Sequence, residues 1–372
     1  MNVAYLGPLR DYSGYGEANR HIVAALDKAG VYVIPKLVNY VSEQSDFGSL
    51  GELIEPLFKR SNEKNYKIKI LHTTPNVFSR YVEAGKYNIG HFFWETDRVP
   101  DEFAEGLQLC DEIWTGSVAN RKAIQAAGVT RPIEIFPQPI ETDRVWSIKP
   151  YNIEFDGYLF YSIFEWTDRK NPEGLLEAFW REFEGREDVG LLIKTYFHGF
   201  SGQSRRMIRE QVQLIKKRLG LSHYAPVFLY LDLMDRDQVM RLHVTGDAYV
   251  SAHRGEGWGV PQVEAALSAH PVISTAYGGC HEYYKEDEMM LVPFTLTKVR
   301  GMHHSAWYNS DQHWADPDLE YLRRSMRWCV EHKQEAIQLG KKAKKATVEF
   351  FNLKTVGDLM RARLEKIEEG LK

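Results

Sequence analysis

Short apolar runs alternate with segments of helical periodicity along most of this sequence, and this alternation restricts the fold more than any other feature. The first cycle runs from a strand predicted at 2–7 through a glycine-containing turn to a helical pattern at 18–29, and a strand predicted at 31–38 follows. Strands that alternate with helices are joined by crossover connections, which place the strands parallel in one sheet. The pattern therefore predicts an α/β chain with mostly parallel, doubly wound sheets.

The alternation is interrupted once, at 138–152, where prolines are spaced along the chain and no periodicity is visible. It resumes with a strand predicted at 158–164 and continues through further strands and helices. A chain of 372 residues exceeds the usual size of a single hydrophobic core. We therefore expect two α/β domains, residues 1–148 and residues 149–351.

The composition, with 44% hydrophobic and 26% charged residues, is that of a soluble globular protein. No apolar run approaches the roughly 18 residues of a membrane span, and the sequence opens without the basic and apolar regions of a signal peptide. The cysteines Cys110, Cys280 and Cys329 are widely spaced without a CxxC pair, which favours free thiols in a reducing compartment. We expect a cytoplasmic location. The net charge of −4 is unlike that of a dedicated nucleic-acid binder.

One strand–turn–helix unit, at 248–267, carries a chemical signal. Its apolar run leads into the turn Arg-Gly-Glu-Gly-Trp-Gly, and Pro261 stands where a helix would begin. Such a turn offers backbone N–H groups and the positive end of a helix dipole, which suit a phosphate. Glu256 and Glu264 frame the turn with seven residues between them. Because a carboxylate binds phosphate poorly and accepts well from hydroxyls, the pattern predicts a site for a nucleotide sugar.

Two other glycine turns lie beside predicted strands. Gly278 and Gly279 follow a strand predicted at 271–275, while Gly14 and Gly16 precede the first helical pattern. Loops at the carboxyl ends of neighbouring parallel strands share one crevice, so the later turn is expected to face the same ligand. The earlier turn lacks the GxGxxG pattern of a dinucleotide site, and its residues leave a ligand loop and an ordinary βα turn equally open.

The glycine-rich unit and its flanks resemble the donor-site signature of retaining glycosyltransferases of family 4. The matching stretches are 247–265, 270–275 and 278–279, with further similarity at 164–176 and 91–100. The resemblance implies the GT-B architecture, in which two Rossmann-like domains face each other across a cleft. Residues 1–148 would form the acceptor-side domain, with the C-terminal helix at about 352–372 packed back on it, and residues 149–351 the donor domain.

The resemblance also implies the reaction and the donor-binding residues. A sugar would pass from a nucleotide sugar, such as a UDP- or GDP-sugar, to an acceptor hydroxyl with retention of configuration, without a metal or other cofactor. Glu256 would contact hydroxyls of the transferred sugar, and Glu264 would hold the ribose. Backbone N–H groups beside Glu256 would come from Gly257, Trp258 and Gly259, and Gly278 and Gly279 would line the donor site.

Cations and N-terminal-domain residues complete the implied site. Lys170, helped by Arg169, would bind the diphosphate and stabilise the leaving group. Many members of the family carry a second arginine directly after a glycine, several residues before the lysine. This chain has Ile-Phe-Glu at 163–165 instead, so the second phosphate cation stays open. His91 or Glu95 would lie near the reacting carbon and the acceptor. Gly14 and Gly16 would line the cleft from the N-terminal side.

Several alternatives remain open on the residues alone. A GT-B sugar-nucleotide epimerase or phosphorylase, or a non-catalytic nucleotide-sugar-binding protein, would carry similar residues. The acceptor class is equally open among glycans, lipid-linked sugars, small molecules, proteins and hydroxylated bases of nucleic acid. The basic helices at 205–218 and 341–345 are typical of solvated faces, and they leave contact with a membrane surface or nucleic acid open. The acidic pair at 235–237 matches a metal-binding DxD, but its position at a helix start favours capping.

Overall fold

The computed structural model describes residues 1–11, 13–38, 50–142, 149–302 and 305–371. The chain divides into two compact units, one made of residues 1–145 and 348–372 and the other of residues 146–347. From the sequence we expected these boundaries at 148–149 and 351–352. Each unit has its own hydrophobic core and its own sheet.

The first unit is built on a six-stranded parallel sheet with the strand order β2-β1-β3-β4-β5-β6. Its strands are β1 Asn2–Gly7, β2 Tyr32–Leu37, β3 Ile68–Leu71, β4 Tyr87–His91, β5 Glu112–Thr115 and β6 Ile133–Ile135. Its helices are α1 Gly14–Lys28, α2 Gly51–Ile54, α3 Asp101–Gln108 and α4 Val118–Ala126, and α11 Leu353–Gly370 joins them from the end of the chain.

Helix α11 packs directly on α1. Close approach is allowed by Gly357, where a Cβ atom would lie only 2.1 Å from the carbonyl oxygen of Ala25. The apolar face of α11 is buried in the same core as Ile22 and Leu26 of α1. The last segment of the chain thus covers a helix that follows the first strand.

The second unit is built on another six-stranded parallel sheet, with the order β12-β11-β10-β7-β8-β9. Its strands are β7 Tyr158–Glu165, β8 Val189–Tyr196, β9 Val227–Tyr230, β10 Ala248–Ser251, β11 Val272–Thr275 and β12 Met290–Val292. Its helices are α5 Pro172–Glu182, α6 Gly202–Leu219, α7 Arg236–His243, α8 Val260–Leu267 and α9 Leu319–Glu331, together with all but the last turn of α10 Lys333–Phe351. The two parallel sheets with their helices confirm the predicted α/β, doubly wound fold class.

The start of the first helix differs from the expectation. Helix α1 begins at Gly14, four residues before the predicted pattern, because Ser13 caps it and accepts a hydrogen bond from the Gly16 N–H group at 3.3 Å. Residues 51–60 form a single α-helical turn followed by a 3₁₀ segment, Glu55–Arg60, which contains a proline near its start. Proline lacks the N–H group that would continue the α-helical ladder.

A small antiparallel sheet in the second unit was not expected. Strands β13 Phe294–Lys298 and β14 His313–Pro317 pair with each other. The sequence does not signal this sheet, because two short and partly exposed strands give little alternation in hydropathy. This sheet reaches the glycine-rich turn, since the Ala315 N–H group donates to the carbonyl oxygen of Arg254 at 2.7 Å.

Candidate functional site

Two glycine turns abut at the carboxyl ends of β10 and β11. Gly278 has a φ of +84°, and a Cβ atom there would lie 2.1 Å from the carbonyl oxygen of Glu256. A Cβ atom at Gly279 would likewise lie 2.1 Å from the carbonyl oxygen of Trp258. Gly259, with a φ of +96°, then starts helix α8 from a left-handed conformation. Backbone this close leaves no room for a side chain, so both turns require glycine.

The structure brings Lys170 and Arg169, which follow β7, onto the carboxylate of Glu256, which follows β10. The Lys170 ammonium donates to Glu256 Oε1, and Arg169 Nη1 lies 3.8 Å from Oε2. Arg169 also donates to the carbonyl oxygen of Gly255 at 2.8 Å. Glu256 is 7% exposed, so the ion pairs are largely removed from water. We call these three residues the cation–Glu256 cluster.

The protonation state of the cluster follows from its charges. Burial alone would raise the pKa of Glu256, but the positive charges of Lys170 and Arg169 outweigh that effect and lower the pKa to about 2. Glu256 is therefore ionised at neutral pH. Two cations against one carboxylate leave one net positive charge, which favours an anionic ligand.

Asn171 holds the cation-bearing loop in place. It has a left-handed backbone with a φ of +54°, and its side chain caps α5 by accepting from the Gly174 N–H group at 3.0 Å. The side-chain amide donates to the carbonyl oxygen of Ala252 at 3.0 Å. The Arg254 N–H group donates to the carbonyl oxygen of Arg169 at 2.7 Å. The loops after β7 and β10 are therefore joined through their backbones.

Two buried histidines that the sequence analysis did not single out support the glycine turns. His253 Nδ1 lies 3.1 Å from Ser251 Oγ, and its Nε2 lies 3.1 Å from the carbonyl oxygen of Tyr277. His281 stacks on it, with ring centroids 5.3 Å apart, and contacts Ser274 Oγ at 2.9 Å. Burial lowers the pKa of His253 to about 3, so this ring is neutral at neutral pH. The sequence signal for His253 was its position two residues after the buried strand β10.

Glu264 lies on α8 with only 2% of its surface exposed. Arg236 Nη2 lies 2.7 Å from Oε1, and His243 Nε2 lies 3.1 Å from Oε2. Burial alone would raise the pKa of Glu264, but Arg236 and His243, both on α7, lower it below its usual value. The sequence analysis missed both partners, because contacts between helices are not encoded in local spacing.

The remaining residues of the turn are buried in the protein. Gly257 is buried, and Trp258 is 6% exposed with its ring edge against Tyr283 at a centroid distance of 5.6 Å. The carbonyl oxygen of Trp258 accepts from the Cys280 N–H group at 2.8 Å. The turn is therefore held from both sides before any ligand binds.

In the first unit, His91 ends β4 and stacks on His72, which follows β3. Their ring centroids are 4.3 Å apart, and both side chains are fully buried. His72 Nδ1 contacts the Tyr5 hydroxyl at 2.6 Å. Within the described ranges, neither nitrogen of His91 and not Nε2 of His72 has a hydrogen-bond partner. Burial lowers the pKa of His91 to about 3, so the pair is neutral and has unused hydrogen-bonding capacity.

The other predicted residues of the first unit differ in their surroundings. Glu95 lies in the partly exposed segment after β4. Gly14 and Gly16 lie in the first turn of α1, which corrects their placement in a loop before the helix. A Cβ atom at Gly16 would lie 2.1 Å from the carbonyl oxygen of Asp11, whereas one at Gly14 would meet nothing within 4 Å. Packing thus requires glycine only at the second position.

Asp235 caps α7 in a reciprocal capping box with Gln238, with hydrogen bonds of 2.8 and 2.9 Å, which confirms the capping interpretation. Among the described residues, no group of three or more His, Cys, Asp or Glu side chains could hold a metal ion. No helix in the described ranges is long and apolar enough to cross a membrane.

No protein-family model matches the sequence, and no curated protein sequence matches it. Solved structures do match. HepE from Anabaena, solved with UDP and glucose, gives a TM-score of 0.67 at 13% identity, over 98% of this chain and 100% of that one. Sucrose-phosphate synthase from Thermosynechococcus elongatus gives 0.71 at 13% identity over 100% of both chains. Trehalose-6-phosphate synthase OtsA gives 0.67 at 11% identity, over 98% of this chain and 99% of that one.

Identities this low establish a common fold only, and they do not identify the reaction. The matches extend over nearly the whole of this chain and cover both parallel sheets. The chain therefore has the GT-B fold of these solved glycosyltransferases.

Proposed function

We propose that this protein is a retaining glycosyltransferase of the family 4 type, which moves a sugar from a nucleotide-sugar donor to an acceptor hydroxyl. The observation that carries the proposal is the cation–Glu256 cluster at the carboxyl end of a parallel sheet, where this kind of fold binds its ligands. Structures of HepE that contain UDP-glucose support a nucleotide-sugar donor.

The proposed mechanism begins with an exchange of partners. Without a donor, Lys170 and Arg169 are both paired with Glu256, which offsets one of their two charges. The diphosphate of a donor competes for the two cations and leaves the Glu256 carboxylate to accept hydrogen bonds from the sugar hydroxyls. Buried charges interact strongly, so each group would be fixed in place before the reaction starts.

Charge then develops where the cations lie. When the bond between the sugar and the diphosphate breaks, the leaving oxygen gains negative charge, and Lys170 with Arg169 stabilises it. The acceptor attacks from the same face of the sugar, and a phosphate oxygen of the leaving group takes the acceptor proton. The two protein cations do the work that a metal ion does in other transferases, so the proposed reaction is metal-independent.

Other residues have supporting roles in the proposal. Glu264, held by Arg236 and His243, accepts from the ribose hydroxyls. Backbone N–H groups of the glycine turns surround the sugar and the diphosphate. In the first unit, His91 or Glu95 acts on the acceptor, and the neutral His91 ring can donate to or accept from a hydroxyl.

The proposal is tested first by binding. Nucleoside diphosphates and their sugar conjugates should raise the melting temperature, because a ligand that binds only the folded state stabilises it by about 2.7 kcal/mol at a hundred times its Kd. A panel of UDP, GDP, ADP and CDP with their glucose conjugates covers the common donors. No shift with any of them would contradict the proposal.

Turnover tests the role of Glu256. With a donor that binds, Glu256→Gln should lower transfer by about a thousandfold, because the amide keeps only one acceptor oxygen and loses the negative charge. Glu173→Gln is the matched control, since Glu173 is an exposed glutamate on α5 in the same unit. Wild-type rates in Glu256→Gln would contradict the proposed function. If the protein forms an epimer of the nucleotide sugar in the absence of an acceptor, it is an epimerase instead.

A further inference from the structure

Lys194, near the end of β8, is a buried cation that forms no ion pair with a carboxylate among the described residues. It is 5% exposed, and within the described ranges its ammonium makes no ion pair. The Lys194 ammonium lies over two aromatic rings, 5.0 Å from the ring centroid of Phe200 and 5.7 Å from that of Tyr196. Lysine is rarely buried without a partner, because removing its charge from water costs several kcal/mol. The proposed reaction does not use this residue.

The ammonium retains its charge at neutral pH. Burial lowers the pKa of Lys194 to about 8, and Asp232 acts in the opposite direction. The side chain is therefore mainly protonated at pH 7 and offers three N–H donors. A buried donor group of this kind indicates a ligand with an acceptor atom.

Strand geometry places Lys194 on the face of the sheet that carries α7 and α8. Lys194 is the register partner of Ile163 in β7. Residues two apart on a strand point to the same face, so Tyr161 lies on that face too. The Tyr161 hydroxyl contacts His243 of α7 at 3.1 Å, and His243 contacts Glu264 of α8. Lys194 and Glu264 therefore belong to the same side of the sheet.

The strand order assigns Lys194 to one part of the donor. A nucleotide sugar is linear, with sugar, diphosphate, ribose and base in that order. The strands run β10-β7-β8-β9 across the sheet, about 4.8 Å apart. In the proposed function Glu256, after β10, takes the sugar, and Lys170, after β7, takes the diphosphate. The ribose is held by Glu264, which contacts Arg236 at the start of α7, the helix that follows β9. The base, one group further along the donor, then lies over the ends of β8 and β9, where Lys194 lies.

We propose that Lys194 recognises the nucleobase of the donor by donating a hydrogen bond to a ring carbonyl, O4 of uracil or O6 of guanine. This inference rests on the proposed function. Cytosine and adenine carry an amino group at the same position, so the lysine donor would face another donor. Tyr196 and Phe200, with ring centroids 5.0 Å apart, supply aromatic surface for the base. The site therefore selects donors with a keto base.

Two matched pairs of ligands test the inference by calorimetry. UDP and CDP differ at the base in this keto or amino group, and GDP and ADP form the purine pair. We expect the wild-type protein to bind the keto member of the better-bound pair about tenfold more tightly. Lys194→Met should reduce that ratio to less than about threefold. Lys194→Gln should do the same, because an amide can either donate or accept.

Lys170→Met is the control, since loss of a diphosphate cation should weaken all four ligands alike and keep the ratio. An unchanged keto preference in Lys194→Met would overturn the inference, and so would an equal loss of affinity for all four ligands, which would indicate phosphate binding. Lys194→Gln gives the same tests if the methionine variant does not fold. A wild-type protein that binds no nucleoside diphosphate would instead overturn the proposed function.

Discussion

In the second unit a buried carboxylate, Glu256, lies against two cations, whereas in the first unit two buried histidines, His72 and His91, stack without any charge. Burial opposes ionisation in both places. At Glu256 the two cations outweigh the effect of burial, and the pKa falls to about 2. At His91 no charge among the described residues offsets the effect of burial, and the ring stays neutral with a pKa of about 3. The first arrangement suits an anion that can replace one partner, and the second suits a neutral hydroxyl.

The largest expected effect is on the rate. Lys170→Met removes a cation from the side where charge develops, and it should lower kcat by about a hundredfold to a thousandfold. Initial rates at saturating donor measure this. Lys217→Met, at an exposed lysine of α6, is the control and should leave the rate unchanged. A loss of less than about threefold in Lys170→Met would contradict the role of the cation–Glu256 cluster in stabilising the leaving group.

The glycine turns give a second contrast, in stability. Gly278→Ala combines a φ of +84° with a Cβ atom 2.1 Å from a carbonyl oxygen, so it should lower the free energy of unfolding by about 3 kcal/mol or more. Gly14→Ala, with nothing within 4 Å in the first turn of α1, should change it by less than about 1 kcal/mol, in the stabilising direction. Urea denaturation measures both. Equal losses in the two variants would contradict the packing described for the turns.

Mild acid should separate the two buried groups. The pKa of His91 is lowered from 6.5 to about 3 in the folded protein, so its contribution to stability is complete above pH 6.5 and falls as the pH drops toward 3. Between pH 6.5 and pH 5 this amounts to about 2 kcal/mol. Glu256, with its pKa lowered from 4.5 to about 2, contributes no loss until the pH is below 4.5.

The measurement is the unfolding free energy of wild type and His91→Asn at pH 6.5 and pH 5. Asparagine does not titrate, so the variant should lose about 2 kcal/mol less than the wild type. Glu256→Gln should match the wild type in the same interval. Parallel losses in wild type and His91→Asn would show that His91 is not a buried neutral ring.

Much of the fold was predictable, because buried parallel strands and amphipathic helices have distinct periods. The glycine turn between Glu256 and Glu264 was predictable too, because the local backbone conformation requires glycine there. The partners Arg236 and His243 were not, because they reach Glu264 from another helix. The burial of Lys194 could not be predicted from the sequence either, since a lysine after an apolar run is typical of the exposed end of a strand.

The packing of α11 on α1 has a consequence for how the chain is made. Residues 146–347 leave the ribosome as one uninterrupted stretch and can form their unit as soon as they emerge. The first unit is translated earlier but lacks residues 348–372, so the face of α1 around Ile22 and Leu26 stays uncovered until those residues have been synthesised. We expect the unit that is synthesised first to be the last to finish folding, with its apolar helix available to chaperones in the interval.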